Sequence, residues 1–389
     1  MADLIAALRE EARTAPVSGI IKSMNRGRDV PGLIPLWAGE GDLPTPRVIC
    51  EAAMRSLSDG ETYYTAETGI APIREALAAY YERLYGRPVD AERFFITGSG
   101  MQAIQICMGM VAGAGDEVLV PSPAWPNVAG AAHVLGAEAV PVPMREEGGR
   151  FTLDVDDLAA AVTPRTRAIF INSPSNPTGW TADLDTLRAI LALAREKGLW
   201  IVADEIYARF YWTGPRRAPS FLDIAEPDDA ILYVNTFSKN WAMTGWRMGW
   251  IMAPPEIEQN ILNFVQYSTS GTATFMQRAG VVALNECDFF VDHMVERARA
   301  GRAIVSEAFC GLNRVRYAAP DGAFYAFFKV DGVESSQELA FQLIDEAKVG
   351  TAAGTAFGED AEGFVRICFC RSAESLREAM DRIVTFLAR

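Results

Sequence analysis

The sequence predicts an α/β fold in which a large domain with a mostly parallel sheet is joined to a smaller α+β domain. Three observations carry this. A chain of 389 residues exceeds what one compact core organises, so two domains are expected. From Arg93 to Ile251, short apolar runs alternate with longer helical patterns, as strands and crossover helices alternate in a parallel sheet. Beyond Asp288 the order changes to one long helical run followed by short strands mixed with helices.

The first 45 residues, a short helix and then a Pro- and Gly-rich run, read as an arm packing on the second domain or a neighbouring subunit. The expected division is residues 1–45 for the arm and part of the small domain, 46–287 for the large domain and 288–389 for the small domain. Strands of the large domain are expected at Arg93–Thr97, Glu117–Val120, Ala137–Val142, Ala168–Asn172, Leu199–Ala203, Ala230–Asn235 and Met248–Met252, each an apolar run bounded by turn residues. Helices intervene at Gln102–Ala112, Asn127–Leu135, Asp154–Val162 and Leu184–Lys197, several behind Ser, Thr, Asp or Pro start signals; Gly198 is a typical stop. In the small domain the long helix reaches Phe309. Strands follow at Arg314–Tyr317, Ala323–Lys329 and Gly363–Phe369, with helices at Ser336–Ala347 and Ala373–Leu387.

Charge and composition exclude several function classes. Lys plus Arg total 36 against 50 Asp plus Glu, and a formal charge of −14 repels nucleic-acid phosphates and anionic lipid alike. No apolar run approaches the roughly 20 residues that span a bilayer, and Met1–Glu10 lacks a cleavable signal pattern, so a cytoplasmic location is expected. Six scattered cysteines without a C-x-x-C pair, and only His133 and His293, leave few candidates for a metal site or a Ser–His–Asp triad.

In open parallel sheets, ligands bind beyond the carboxyl ends of the strands. Ala168–Asn172 is followed by Ser173-Pro174-Ser175-Asn176-Pro177-Thr178-Gly179, Leu199–Ala203 by Asp204-Glu205-Ile206-Tyr207, and Ala230–Asn235 by Thr236-Phe237-Ser238-Lys239. An amide, a carboxylate, a phenol and an amine are thus expected along one rim. Singly, Asp204 reads as a cap on a buried strand and Asn176 as an ordinary Asn-Pro turn. Together they fit one chemistry: a lysine amine condenses with an aldehyde, and a carboxylate keeps a pyridine nitrogen protonated so that the ring accepts electrons. Amide and phenol donors hold a ring oxygen as its anion. Thr97-Gly98-Ser99-Gly100-Met101-Gln102, a small-residue turn into a helix, offers N–H groups to a phosphate, and Arg247 adds a planar fork.

These motifs, with Ser238 through Gly249, resemble those of the class I/II aminotransferases of the aspartate aminotransferase superfamily, fold type I, over Leu36 to the C-terminus. The resemblance implies a pyridoxal 5′-phosphate enzyme, with the large domain binding the cofactor as a Schiff base on Lys239. It further implies that Asp204 pairs with the pyridinium nitrogen, that Asn176 and Tyr207 bind the ring oxygen, and that Trp125 stacks on the ring. Ser99, Gly100, Met101, Thr236, Ser238 and Arg247 match the phosphate cup. Tyr64 matches the tyrosine that reaches the phosphate of the other subunit, so a homodimer with shared sites is expected. Arg366 and the backbone of Gly39 match the groups that bind the substrate α-carboxylate. Gly41 stands where the family often has proline.

The implied substrates are an amino acid and a 2-oxo acid. At Met101, bacterial aspartate-using relatives commonly have a lysine that binds the second carboxylate; a thioether there favours a neutral or aromatic donor. Arg26 and Arg28 of the arm are the alternative cations for a dicarboxylate. Aspartate transamination, or C–S β-elimination on the same fold, are the alternative reactions.

Overall fold

The computed structural model describes residues 4–389; the first three residues of the Met1–Glu10 stretch lie outside it. The arm begins with α1 (Glu10–Thr14) and α2 (Gly19–Gly27) and ends in the two-residue strand β1 (Ile34–Pro35). β1 pairs in parallel with Val349–Gly350 near the other end of the chain, so the arm joins the C-terminal part. Two helices follow, α3 (Arg47–Ser58) and α4 (Ala71–Tyr85). Pro72 in its first turn starts α4, and Gly86, in the left-handed conformation that glycine adopts without strain, ends it.

The next segment alternates as expected: β2 (Phe94–Thr97), α5 (Gly100–Val111), β3 (Glu117–Ser122), α6 (Pro126–Val134) and β4 (Glu138–Pro143). After a hairpin of β5 (Arg145–Glu147) and β6 (Arg150–Thr152) come α7 (Val155–Ala161), β7 (Thr166–Asn172), α8 (Leu184–Lys197), β8 (Trp200–Asp204), β9 (Ile231–Thr236), α9 (Phe237–Asn240) and β10 (Gly249–Met252). Seven strands form one sheet in the order β2-β10-β9-β8-β7-β3-β4. Every expected strand is present to within two residues at each end. The direction of β10 was not legible: it runs antiparallel to both β2 and β9, and residues 237–248, which join β9 to β10, hold the four-residue helix α9 rather than a long crossover helix.

Neighbouring residues on the strands face opposite ways, and both faces are covered. Phe94, Ile169, Ile201 and Trp250 enter one core cluster, while Phe95, Phe170, Val202 and Ile251 enter another. That double burial explains why the strands read as continuous apolar runs.

The remainder comprises α10 (Glu258–Gln266), α11 (Thr274–Glu286), α12 (Asp288–Phe309), β11 (Val315–Arg316), β12 (Tyr325–Val330), α13 (Ser336–Asp345), β13 (Val349–Gly350), β14 (Ala352–Ala353), β15 (Phe364–Cys368) and α14 (Ala373–Leu387). β11, β12, β15 and β14 form an antiparallel sheet with its own core, including Phe328, Leu343, Ile367 and Ile383. Its strand β15 faces the carboxyl ends of the large sheet, where Arg366 bonds Asn176 and the two parts of the site meet.

Candidate functional site

A cavity of about 390 Å³ lies beyond the carboxyl ends of β7, β8 and β9, within the size range of small-molecule sites. Its lining brings together Gly39, Gly100, Met101, Trp125, Asn176, Asp204, Tyr207, Thr236, Ser238, Lys239, Arg247 and Arg366. Two expected site residues do not line it. Ser99 is the N-cap of α5, its hydroxyl accepting from Gln102 N at 2.9 Å, which leaves its own proton available to a ligand at the same helix start. Tyr64 is 93% exposed on the surface of the single chain.

At the base of the cavity Asp204 ends β8 and is 2% exposed. Among the described residues its carboxylate accepts only a long bond, 3.3 Å, from Ile206 N, and burial raises its pKa to about 7. A carboxylate so enclosed calls for a cation, and a protonated pyridine nitrogen meets that need. Asn172, ending β7, steadies this floor: its amide donates to Asp204 O at 3.1 Å while its oxygen accepts from Asn176 N at 2.8 Å. Sequence reading did not single out Asn172, since as the last residue of an apolar run it looks like a strand end.

Lys239 sits in the short helix α9, where Thr236 is the N-cap. Its amine donates to Gly39 O at 2.6 Å, and burial lowers its pKa from 10.5 to about 8. Only a neutral amine attacks a carbonyl. The rate at which a visible band appears on adding pyridoxal phosphate to cofactor-free protein should therefore rise with pH and level off above about 8. A rate still climbing steeply beyond pH 9 would mean that Lys239 is not the reacting amine in this environment.

The anion cradle combines the start of α5 at Gly100 and Met101 with Ser238 and Arg247. Arg247 adopts a left-handed backbone (φ 53°), uncommon for a residue with a side chain and costing about 1 kcal/mol or more. Its guanidinium donates to Thr244 O at 2.6 Å, and no ion pair among the described residues includes it. Thr236 is differently engaged: its hydroxyl lies 2.9 Å from Met248 O and accepts from Ser238 N at 3.2 Å. The threonine lines the cavity, but its hydroxyl already serves the fold.

On the opposite wall Arg366 is 1% exposed. It donates to Asn176 Oδ1 at 2.8 Å and to Trp37 O, while its Nε has no hydrogen-bond partner among the described residues and no carboxylate pairs with it. The rings of Tyr325 and Phe357 flank the guanidinium at 4.5 and 4.7 Å. Trp37 and Tyr325 escaped sequence reading, because apolar patterning marks them as core. Tyr207, 2% exposed, has its hydroxyl 2.5 Å from that of Tyr325, and burial raises the Tyr207 pKa well above 10. The remaining wall is apolar, with Ile20 and Met24 one turn apart on α2 beside Met101 and Trp125.

The arm arginines do not line this cavity. Arg26 is held by Asp345 at 2.6 Å and lies over the Phe341 ring, and Arg28 donates to Asn25. The donor set therefore fits a phosphorylated pyridine aldehyde: an anion cradle, a buried acid for the ring nitrogen and an amine of lowered pKa.

The sequence profile described as aminotransferase class I and II matches residues 31–383. The aspartate aminotransferase of Pyrococcus horikoshii is 36% identical, covering 94% of this chain and 93% of the relative. The aromatic-amino-acid aminotransferase 2 of Thermococcus litoralis is 36% identical over 97% of both chains. The solved structure of the Thermus thermophilus aspartate aminotransferase with maleate superposes with a TM-score of 0.89 at 33% identity, covering 97% of this chain and 99% of the other.

Proposed function

The chain belongs to the class I and II aminotransferase family, and on that premise we propose that it works with pyridoxal 5′-phosphate attached at Lys239 and prefers a neutral or aromatic amino donor. As a member of the family it transfers an amino group between an amino acid and a 2-oxo acid. The observation that carries the site assignment is Arg366: a buried guanidinium whose Nε and charge have no hydrogen-bond or anionic partner among the described residues, in one cavity with Lys239. Such a charge is costly unless a ligand supplies the anion, and an α-carboxylate fits its planar fork.

When bound, pyridoxal phosphate supplies an aldehyde that condenses with amines and a ring that accepts the electron pair left on the substrate Cα. The chain's residues do the rest. Arg366 and the Gly39 backbone orient the substrate carboxylate. Lys239 Nζ, whose pKa burial lowers to about 8, takes the proton from Cα and returns it. Asp204 keeps the ring nitrogen protonated. Asn176, whose Oδ1 is occupied by Arg366, gives its amide N–H to the ring oxygen, and Tyr207 gives its hydroxyl. Trp125 covers the ring face, and Gly100, Met101, Ser238 and Arg247 hold the phosphate.

The same proposal includes a cytoplasmic homodimer. All six cysteines are free, as a reducing compartment keeps them. Tyr63, Tyr64 and Tyr267 are 85%, 93% and 88% exposed, a costly display of aromatic surface that a second copy would cover, bringing Tyr64 to the partner's phosphate. Among the described residues no helix is long and apolar enough to cross a membrane.

The decisive test is a half-reaction. Protein loaded with cofactor and given an amino donor alone should lose its visible band and release one equivalent of 2-oxo acid. Pyruvate and ammonia released from a cysteine conjugate, with no half-reaction from any donor, would establish the β-lyase instead.

The apolar wall of Ile20, Met24, Met101 and Trp125 supports the donor preference, while the Pyrococcus and Thermus relatives keep aspartate as the second reading. A neutral donor, such as alanine or an aromatic amino acid, should have a higher kcat/KM than aspartate, with 2-oxoglutarate or pyruvate as acceptor. Met101→Lys should narrow the gap by about tenfold, the worth of one partly desolvated charge pair. A wild-type preference for aspartate over every neutral donor would show that Met101 does not set specificity.

A further inference from the structure

We infer that Tyr325 is a positioning residue: its hydroxyl polarises the Tyr207 phenol and its ring braces Arg366, so one side chain serves both the cofactor's ring oxygen and the substrate's carboxylate. The inference rests on the function proposed above. Tyr325 is 1% exposed yet lines the cavity. In the β12–β15 ladder it stands opposite Cys368, with Phe327 opposite Arg366, so Tyr325 and Arg366 are diagonal neighbours on one face of the sheet. This register lays the guanidinium over the Tyr325 ring at 4.5 Å, with Phe357 across from it. The two tyrosine rings meet edge to face, 5.6 Å apart at 83°, with their hydroxyls at 2.5 Å.

Proton counting fixes the direction of that hydrogen bond in the loaded enzyme. A phenol has one proton. Once Tyr207 gives its proton to the ring oxygen it has none for Tyr325, so Tyr325 donates and Tyr207 accepts. A hydroxyl that accepts a hydrogen bond donates more strongly, and burial of both side chains strengthens the effect. The titratable and charged groups facing the pair are Asp204, Lys239, Arg366, Cys368 and Cys370. None of them makes a hydrogen bond to either hydroxyl, so the phenols have each other. The consequence is that Tyr325 stabilises the ring oxygen's anion without touching it, and its loss raises the pH at which the visible band titrates.

The test uses holoenzyme without substrate, titrated spectrophotometrically. Tyr325→Phe should move the midpoint of the visible band upward by roughly 0.5 pH unit, the indirect share of one charge-assisted hydrogen bond. Tyr207→Phe should move it further, and the double variant no further than Tyr207→Phe alone, because Tyr325 acts through Tyr207. Propionate, an unreactive carboxylate, should bind Tyr325→Phe within about twofold of wild type and Tyr325→Leu about tenfold more weakly, since only the second loses the ring face. An unchanged midpoint in Tyr325→Phe, or shifts that add in the double variant, would overturn the relay. Loss of the band from folded Tyr325→Phe would show direct cofactor holding instead, and undiminished propionate affinity in Tyr325→Leu would remove the brace. Wild-type protein without any visible band would remove the proposed function itself, an outcome distinct from all of these.

Discussion

Lys239→Ala should abolish the visible band that pyridoxal phosphate gives with wild-type protein and lower turnover on the order of 10⁴-fold or more. The size of the effect follows from two duties carried by one atom. In the proposed mechanism Nζ would be both the amine that holds the cofactor and the base that moves the Cα proton, and in the structure it donates to Gly39 O at 2.6 Å. No other lysine lines the cavity among the described residues, so no neighbour replaces it. The variant should fold normally, because removing a buried amine of depressed pKa relieves desolvation rather than breaking an ion pair. Turnover within tenfold of wild type would end the assignment of Lys239.

Asp204→Asn should reduce kcat on the order of 10²- to 10³-fold while leaving most of the bound cofactor in place, as measured by absorbance after desalting. Retention is expected because the phosphate cradle, the ring-oxygen donors and Trp125 do not depend on Asp204. Activity falls because a neutral amide cannot hold the ring proton by charge. The carboxyl's own titration points the same way: burial, only partly offset by the Ile206 N–H and the Lys239 charge, raises it to about 7, and a cation brought against it would return it to the charged form. A protonated ring nitrogen set against Asp204 would therefore stabilise both charges in the loaded enzyme. Equal losses of cofactor and activity would instead make Asp204 a strand-end cap.

The strands of the large sheet were legible because both of its faces are buried. Ile169 and Phe170, or Ile201 and Val202, enter opposite cores, so the pattern is an unbroken apolar run that a chain scan detects. Helices α3, α4, α10 and α11 were not assigned. α3 packs against α11 and α11 against α4, and the identity of the burying partner is information that a local pattern lacks. Site residues directly after strands were found, since chain order alone places them on the rim. Ser99 shows how one hydroxyl in a Gly-rich turn reads both as ligand donor and as helix cap: its oxygen caps α5, and its proton is left for a ligand. Tyr325 was invisible for a different reason. Its neighbours in β12 are almost all apolar and buried, and what distinguishes it is a register with β15, about forty residues on.

The close approach at Gly39 limits what redesign of this site can attempt. A single added carbon there would lie 2.1 Å from the Tyr325 hydroxyl and 3.5 Å from Lys239 Nζ. On that side the cavity is bounded by main chain at contact distance, and no larger amino acid can be introduced without displacing the phenol that faces Tyr207. The wall of α2 and Met101 has side chains to exchange, from Ile20 and Met24 to the thioether itself. With Arg366 holding the carboxylate as proposed, variation that alters the accepted side chain is expected to enter through the arm and the α5 turn, so engineered variants of this chain could diverge in donor while gripping each amino acid by the same end.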